Sequence, residues 1–458
     1  MFQSAIPTVR SAGATAAVRR AEILSAFSYA LDITEGQPAG HSIRAAWIGA
    51  YVALARGLRG QALADCVYAV LLKDLGCSSN AARVADLFLG DDRKLKHQFK
   101  LIGPEAEDFL AFVEASVGVG VDAETRSCAI ETITEDAGPI LTGFIDTRCN
   151  QGARIARMLR FSDNVCEGIA CLDEHWDGGG MPLGLMHDDI PLISRIALLA
   201  QVADVFFMTG GADVALAEVT ARRGTWLDPE LVDIFAELAA DAAFWAELAR
   251  SDIEAQLHRL AAFDADQPVD EDYLDAIAAA FGQVIDAKSP YTSGHSERVG
   301  QITDAIAREL GFDDAPRRRL RRAAMLHDVG KLGVSNRILD KPGKLDSDEW
   351  QEMCEHAALT GEILGRIGAF ADLAMVAAAH HERLDGTGYP LRLDHALISL
   401  ETRIITAADI YDALTADRPY RAAMPVDAAI EIMESECGIA VDPAVLQALK
   451  AVIARGGV

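Results

Sequence analysis

The chain repeats itself. AGHSIRAAWIGAYVALARGL, from Ala39, is answered by SGHSERVGQITDAIARELG, from Ser293, and this sets His41 and His295 254 positions apart. The same offset relates Leu72-Lys73-Asp74-Leu75-Gly76 to Leu326-His327-Asp328-Val329-Gly330. Further on, EHWDGGGMPLGL echoes HERLDGTGYPLRL, with Asp177 against Asp385 and Gly180-Met181-Pro182 against Gly388-Tyr389-Pro390. SRIALLAQVADVF echoes TRIITAADIYDAL and sets Asp204 against Asp409, and LDPELVDIF from Leu227 resembles VDPAVLQAL from Val441. A single long-period repeat in conserved order predicts two similar domains in tandem, which overrides the three units that 458 residues alone suggest. The expected division is 1–262 and 270–458, with about 46 extra residues in the first copy, largely between 85 and 145.

Both copies read as helical. Apolar residues recur at i, i+3 and i+4 in Ala/Leu/Glu-rich windows, and no alternating strand series appears, so the expected fold is all-α. Between the copies, Leu231 to Ala262 reads as an amphipathic helix with Phe235, Leu238, Phe244, Trp245, Leu248, Ile253 and Leu257. Its second apolar face is expected to pack the two domains together, and it would equally serve a homodimer. The acidic stretch AAFDADQPVDEDY follows, with Asp270 placed to cap the next helix.

A net charge of −27 argues against non-specific DNA or anionic-membrane binding, because a polyanion would be repelled. A small phosphate ligand stays open, since bound cations invert the local field. The run Arg317, Arg318, Arg319, Arg321, Arg322 lacks interleaved aromatics and reads as a solvated face paired with acidic neighbours. Eight cysteines form no CxxC and suit free thiols in a reducing compartment. No signal-peptide core and no uninterrupted apolar span of about 18 residues is present, so the expected location is cytoplasmic.

The chemistry concentrates in the second copy. AAMLHDVGK delivers His327 and Asp328 side by side with Lys331 one turn on, and His295, His356, His380, His381 and Asp409 are spread around it. These side chains must converge by folding. Imidazoles plus a carboxylate are the ligand chemistry of hydrolysis at a two-metal centre.

In order and content, HDxGK, a later isolated His, HHExxDGxGYP and ADxxDALTxxRPYR resemble the HD-GYP family of HD-type metal-dependent phosphohydrolases, over roughly Val284 to Ala451. The resemblance implies one metal on His295, His327, Asp328 and Asp409, and a second on His356, His380 and His381, with Asp328 bridging. It implies two divalent ions, iron or manganese suiting the imidazole-rich set. The glutamate that serves a third metal in some members is replaced here by Tyr291, with Asp286 the nearest acid. Lys331 would face phosphate oxygens, Asp412 would hold Lys331 or a ligand histidine in place, and Arg418 and Arg421 would clamp a diester. Tyr389 of the GYP loop would contact substrate or a signalling protein partner. The implied activity is hydrolysis of a cyclic dinucleotide to its linear form. Cyclic di-GMP stands first, 3',3'-cyclic GMP-AMP is the rival, and a non-catalytic receptor and another HD-type phosphohydrolase are further alternatives.

The first copy departs where it matters. Lys73 answers His327, Thr147 answers His356, Cys171 or Leu172 and Asp173 answer the histidine pair, and Cys77 or Ser78 answers Lys331. His41, Asp74 and Asp204 remain, too few for a metal pair, so this copy is expected to be non-catalytic.

Overall fold

The structure is a computed structural model and describes residues 20–103, 105–260, 269–417 and 422–457. Among these residues the fold is all-α: helices joined by turns, with two isolated bridges, Arg223–Leu227 and Cys437–Val441, in place of any sheet. The bridges fall at matching points of the repeat, just before Asp228 and Asp442. Each of these aspartates caps a helix that opens on proline, Pro229–Ala239 and Pro443–Ala454, where the missing proline N–H costs nothing. Each also accepts a bond of 2.8 Å from an arginine, Arg195 and Arg403 respectively.

The helices His41–Ala55 and His295–Glu309 both begin after a left-handed glycine, Gly40 (φ 84°) and Gly294 (φ 69°). That backbone conformation is strained for residues with a Cβ. It turns the chain so that each histidine enters its helix facing inward, and both are buried. Asp270 accepts from the Tyr273 amide at 2.7 Å and starts Glu271–Asp286, as its sequence position predicts.

Both halves share one apolar core. Phe27, on the helix Arg20–Thr34, stacks on Phe281 with ring centroids 3.5 Å apart and meets Phe370 edge-on at 6.4 Å. Burying such a ring contributes about 1.5–3 kcal/mol. The first-copy insertion adds a small core of its own from Phe88, Leu95, Val113, Val117, Ile133 and Ile140.

The stretch from Leu231 differs from expectation. It forms three short helices, Pro229–Ala239, Ala242–Leu248 and Ile253–Leu260, because Asp241 interrupts it and caps the second at the Ala243 amide. Phe244, Trp245 and Leu248 are buried inside the first half, against Trp47 and Phe207. The seam between the halves runs along Arg20–Thr34, the insertion and the helix Ala137–Met158 instead.

The helix Leu192–Gly210 is long and apolar enough to cross a membrane by length and composition, and 72% of its apolar window is buried within the protein. All eight cysteines are free, five of them buried. The arginine run pairs as expected, with Arg317 on Asp304, Arg318 on Asp272 and Asp275, Arg319 on Asp372 and Arg321 on Glu297, while Arg322 is buried on Asp275.

Candidate metal centre

Seven side chains from five separate segments meet in the second half. His295 opens its helix, and His327 and Asp328 end Asp314–Leu326. His356 lies on Ser347–Gly365, His380 and His381 follow Ala371–Ala378, and Asp409 lies on Leu400–Thr415. They form two clusters, Asp328 with His356, His380 and His381, and His295 with His327 and Asp409, the ligand atoms within each lying no more than 4.8 Å apart.

Asp328 divides its oxygens between them. Oδ2 lies 3.5 Å from His295 Nε2 and 3.2 Å from His327 Nε2. Oδ1 lies 3.5 Å from His356 Nε2 and 3.7 Å from His380 Nε2. The two clusters therefore share one carboxylate, the arrangement of a binuclear metal centre.

The imidazoles are pre-oriented for cations. Nδ1 of His295 is held by Asp412 at 2.7 Å, and those of His327 and His380 donate at 2.6 Å to the Ala324 and Ala377 carbonyls. His356 Nδ1 donates to the Met353 carbonyl at 2.5 Å. Each Nε2 is thereby turned inward, where it is buried without a hydrogen-bond partner, as is Asp328 Oδ1. Buried polar atoms are rarely left unpaired, so this many in one place marks a metal-ligand set with its outer partners already in position.

Electrostatics separate the clusters. Burial pushes His356 down to about 4 and His381 to about 3, leaving both neutral and ready to ligate. At His327 burial also opposes the charge, but the adjacent Asp328 carboxylate overrides it and pushes the imidazole up to about 10. Burial likewise opposes ionisation of Asp328 and Asp409, yet the neighbouring histidines hold both carboxyls well below their ordinary range.

The remaining expected residues fall as follows. Lys331 donates to Asp328 Oδ2 at 2.6 Å, at the edge of the centre. Asp412 holds a ligand histidine, not Lys331, and its Oδ1 accepts from Arg298 at 2.5 Å, a partner that sequence reading missed. Tyr389 walls the second cluster, its ring 4.7 Å from that of His381. Asp286 is spent on Ser296, accepting its hydroxyl at 2.7 Å, and is not a member of either cluster. Arg418 and Arg421 lie outside the described residues. Thr360 was also missed: its hydroxyl donates to the His327 carbonyl at 2.9 Å and accepts from the Gly330 amide at 3.0 Å. Glu382, in the HHE run, accepts the Leu391 and Leu393 amides at 2.6 and 2.8 Å and so shapes the GYP loop.

The first half preserves this frame around different chemistry. His41 Nδ1 is held by Asp204 at 2.7 Å, and Arg44 also binds Asp204 at 2.7 Å, so Asp204 is the counterpart of Asp412. Gln201 then stands where Asp409 stands, which corrects the sequence alignment. A second correction comes from glycine packing. Gly76 abuts the Arg148 carbonyl as Gly330 abuts that of His356, so Arg148, not Thr147, replaces His356. The arginine pairs with Asp173, the residue in place of His381, and Lys73 pairs with Asp74. Lys100 reaches Asp74 at 3.3 Å from the insertion. Fixed ammonium and guanidinium groups thus neutralise the carboxylates that cations would otherwise meet. Glu35, Asp74 and Cys77 also lie together, but Lys96 and Lys100 already neutralise Glu35.

Comparison with known proteins agrees. A family model described as "HD domain" matches residues 141–231 and 280–445. The chain is 48% identical over 429 residues to 3'3'-cGAMP-specific phosphodiesterase 3 of Vibrio cholerae, covering 94% of this chain and 93% of that protein. A cyclic di-GMP phosphodiesterase of Thermotoga maritima is 36% identical over 180 residues, 39% of this chain and 49% of its own. Among solved structures, a cyclic GMP-AMP specific phosphodiesterase of V. cholerae superposes with a TM-score of 0.65 at 44% identity, covering 96% of this chain and 98% of that one. With a centre of seven ligand-type side chains in one half and its charge-substituted counterpart in the other, the chain belongs to the HD-domain family and is a tandem phosphodiesterase of the HD/HD-GYP type.

Proposed function

We propose that the protein is a metal-dependent cyclic-dinucleotide phosphodiesterase that prefers 3',3'-cyclic GMP-AMP and opens it to the linear dinucleotide. The observation that carries the chemistry is the single carboxylate, Asp328, facing two histidine clusters. The likeness to a 3'3'-cGAMP-specific enzyme over nearly the full length supports the substrate, and it favours this dinucleotide over cyclic di-GMP, which the motifs alone put first. The proposed division of labour assigns catalysis to 270–458 and a supporting role to 1–262.

Two divalent cations, iron or manganese by the imidazole-rich donor set, would supply Lewis acidity to the phosphoryl group and activation of water. His295, His327 and Asp409 would hold one and His356, His380 and His381 the other, with Asp328 shared. Lys331 presents its ammonium beside Asp328, where it favours negative charge growing on the phosphoryl oxygens. Tyr389 closes one wall and limits access of bulk water to the His356–His381 side. Arg418 and Arg421 are proposed to grip the diester away from the cleaved bond.

Turnover of 3',3'-cyclic GMP-AMP, cyclic di-GMP and a simple aryl phosphodiester, each with iron(II) or manganese(II), tests this reading. The expected order in kcat/KM is the mixed dinucleotide first. Faster cleavage of cyclic di-GMP would reverse the substrate assignment, and tight dinucleotide binding without any turnover would replace it with a receptor.

A further inference from the structure

The turn that carries Lys331, Val329–Gly333, is held from two sides. Its own half supplies Thr360. The other side is held by neighbouring residues of the first-copy insertion, at the start of the helix Asp92–Phe99. Asp92 is wholly buried, and its Oδ1 accepts the Asn336 amide at 2.9 Å. Its Oδ2 lies 3.2 Å from the buried Lys288 ammonium, and the Lys288 carbonyl accepts from Asn336 Nδ2 at 2.6 Å. Arg93 donates to the Gly333 carbonyl and pairs with Glu352 at 2.8 Å. The backbone just beyond Lys331 is therefore gripped at Gly333 and at Asn336 by residues about 240 positions earlier in the chain.

A chain of buried charges leads back from this grip. Lys96 lies 3.7 Å from Asp92 and 3.5 Å from Glu35, and Lys100 bridges Glu35 at 3.0 Å to Asp74 at 3.3 Å. Asp74 is the counterpart of Asp328. The charge-substituted centre of the first half is thus connected, ion by ion, to Asp92, which binds the Asn336 amide three residues past the turn that bears Lys331. A long lysine side chain has many rotamers, so the direction of its ammonium depends on how firmly its backbone is set. Small displacements of a group acting on the transition state are costly in rate.

We propose that Asp92 and Arg93 are positioning residues for the phosphodiesterase reaction, acting through Lys331 by fixing the Gly333–Asn336 backbone. This rests on the role of Lys331 given above. It assigns the first half, and its insertion in particular, a specific part in the chemistry of the second.

The test uses the full chain loaded with manganese(II), with 3',3'-cyclic GMP-AMP as substrate. Asp92→Ala is expected to retain both metals and to keep KM within about twofold while kcat falls about tenfold. Arg93→Met, at a partly exposed position, is expected to show the same pattern with a drop of about threefold. In the Lys331→Ala background, either substitution is expected to change kcat by less than about twofold, because the group they position is gone. Asp92→Asn combined with Lys288→Met restores an acceptor for the Asn336 amide and removes the ammonium, so it is expected to recover most of kcat. If Asp92→Ala does not fold, the Arg93→Met pair of measurements decides. Losses that multiply with Lys331→Ala, or that follow metal loss or KM, overturn the proposal. Wild-type kcat in Lys331→Ala itself overturns the reading of Lys331, and this proposal with it.

Discussion

Arg148 and Asp173 form an ion pair at the two positions where the second half has His356 and His381. Either replacement alone would leave an unpaired charge; the two together leave a neutral pair. The first half therefore keeps the frame of the centre with a paired guanidinium and carboxylate at two of its ligand positions.

Breaking that pair on one side is expected to cost stability. Arg148→Ala should lower the free energy of unfolding by roughly 2–3 kcal/mol, the low side for a buried pair because both side chains keep 15–16% exposure. Arg148→Met with Asp173→Leu should be close to neutral. Urea melts of the variants measure both.

Removing the shared carboxylate is expected to disturb both clusters at once. Asp328→Ala should take the bound metal from two equivalents towards none, whereas His295→Ala should retain one, at the His356, His380 and His381 cluster. Elemental analysis of anaerobically purified protein checks the count.

Metal affinity is expected to depend on pH in one cluster only. His327, pushed up to about 10, carries a proton at neutral pH in the metal-free protein, and a cation must displace it. Affinity there should weaken by about tenfold per unit as pH falls from 8 to 6. His356 and His381, pushed down to about 4 and about 3, hold no proton across that range and should show little change. Titration calorimetry in buffers of different ionisation enthalpy reads the released proton directly.

Asp412→Ala should weaken metal binding at the His295 cluster by about 10- to 100-fold, since it frees the ring and unpairs Arg298. Competition against a chelator measures the loss.

Phe27→Ala should destabilise the whole chain by about 3–5 kcal/mol, because this ring packs on Phe281 and Phe370 of the other half. A shared core predicts that loss of activity and loss of helicity coincide in one denaturant transition. Two separate transitions would mean the halves unfold independently.

The sequence by itself determined the helical class, the tandem repeat and the identity of all seven converging side chains. Those features are local: residue type, period and order survive in one dimension. Asp270 caps the helix Glu271–Asp286 as its position implied. The tertiary structure corrected which residue replaced which in the first half. SRIALLAQVADVF and TRIITAADIYDAL, matched without a gap, place Asp204 on Asp412 and Gln201 on Asp409, and the bond from His41 to Asp204 agrees with that register rather than with the pairing of Asp204 and Asp409. Arg148 and Thr147 are neighbours, and the close approach of Gly76 makes the choice. The seam was beyond sequence reading. Phe244 and Trp245 look like a docking face in a helical projection, and they are spent on Trp47 and Phe207 because Asp241 breaks the helix and turns it inward. The contacts of Asp92 with Lys288 and Asn336 join residues 196 and 244 positions apart, from an insertion that has no counterpart to compare it with, and only packing brings those groups together.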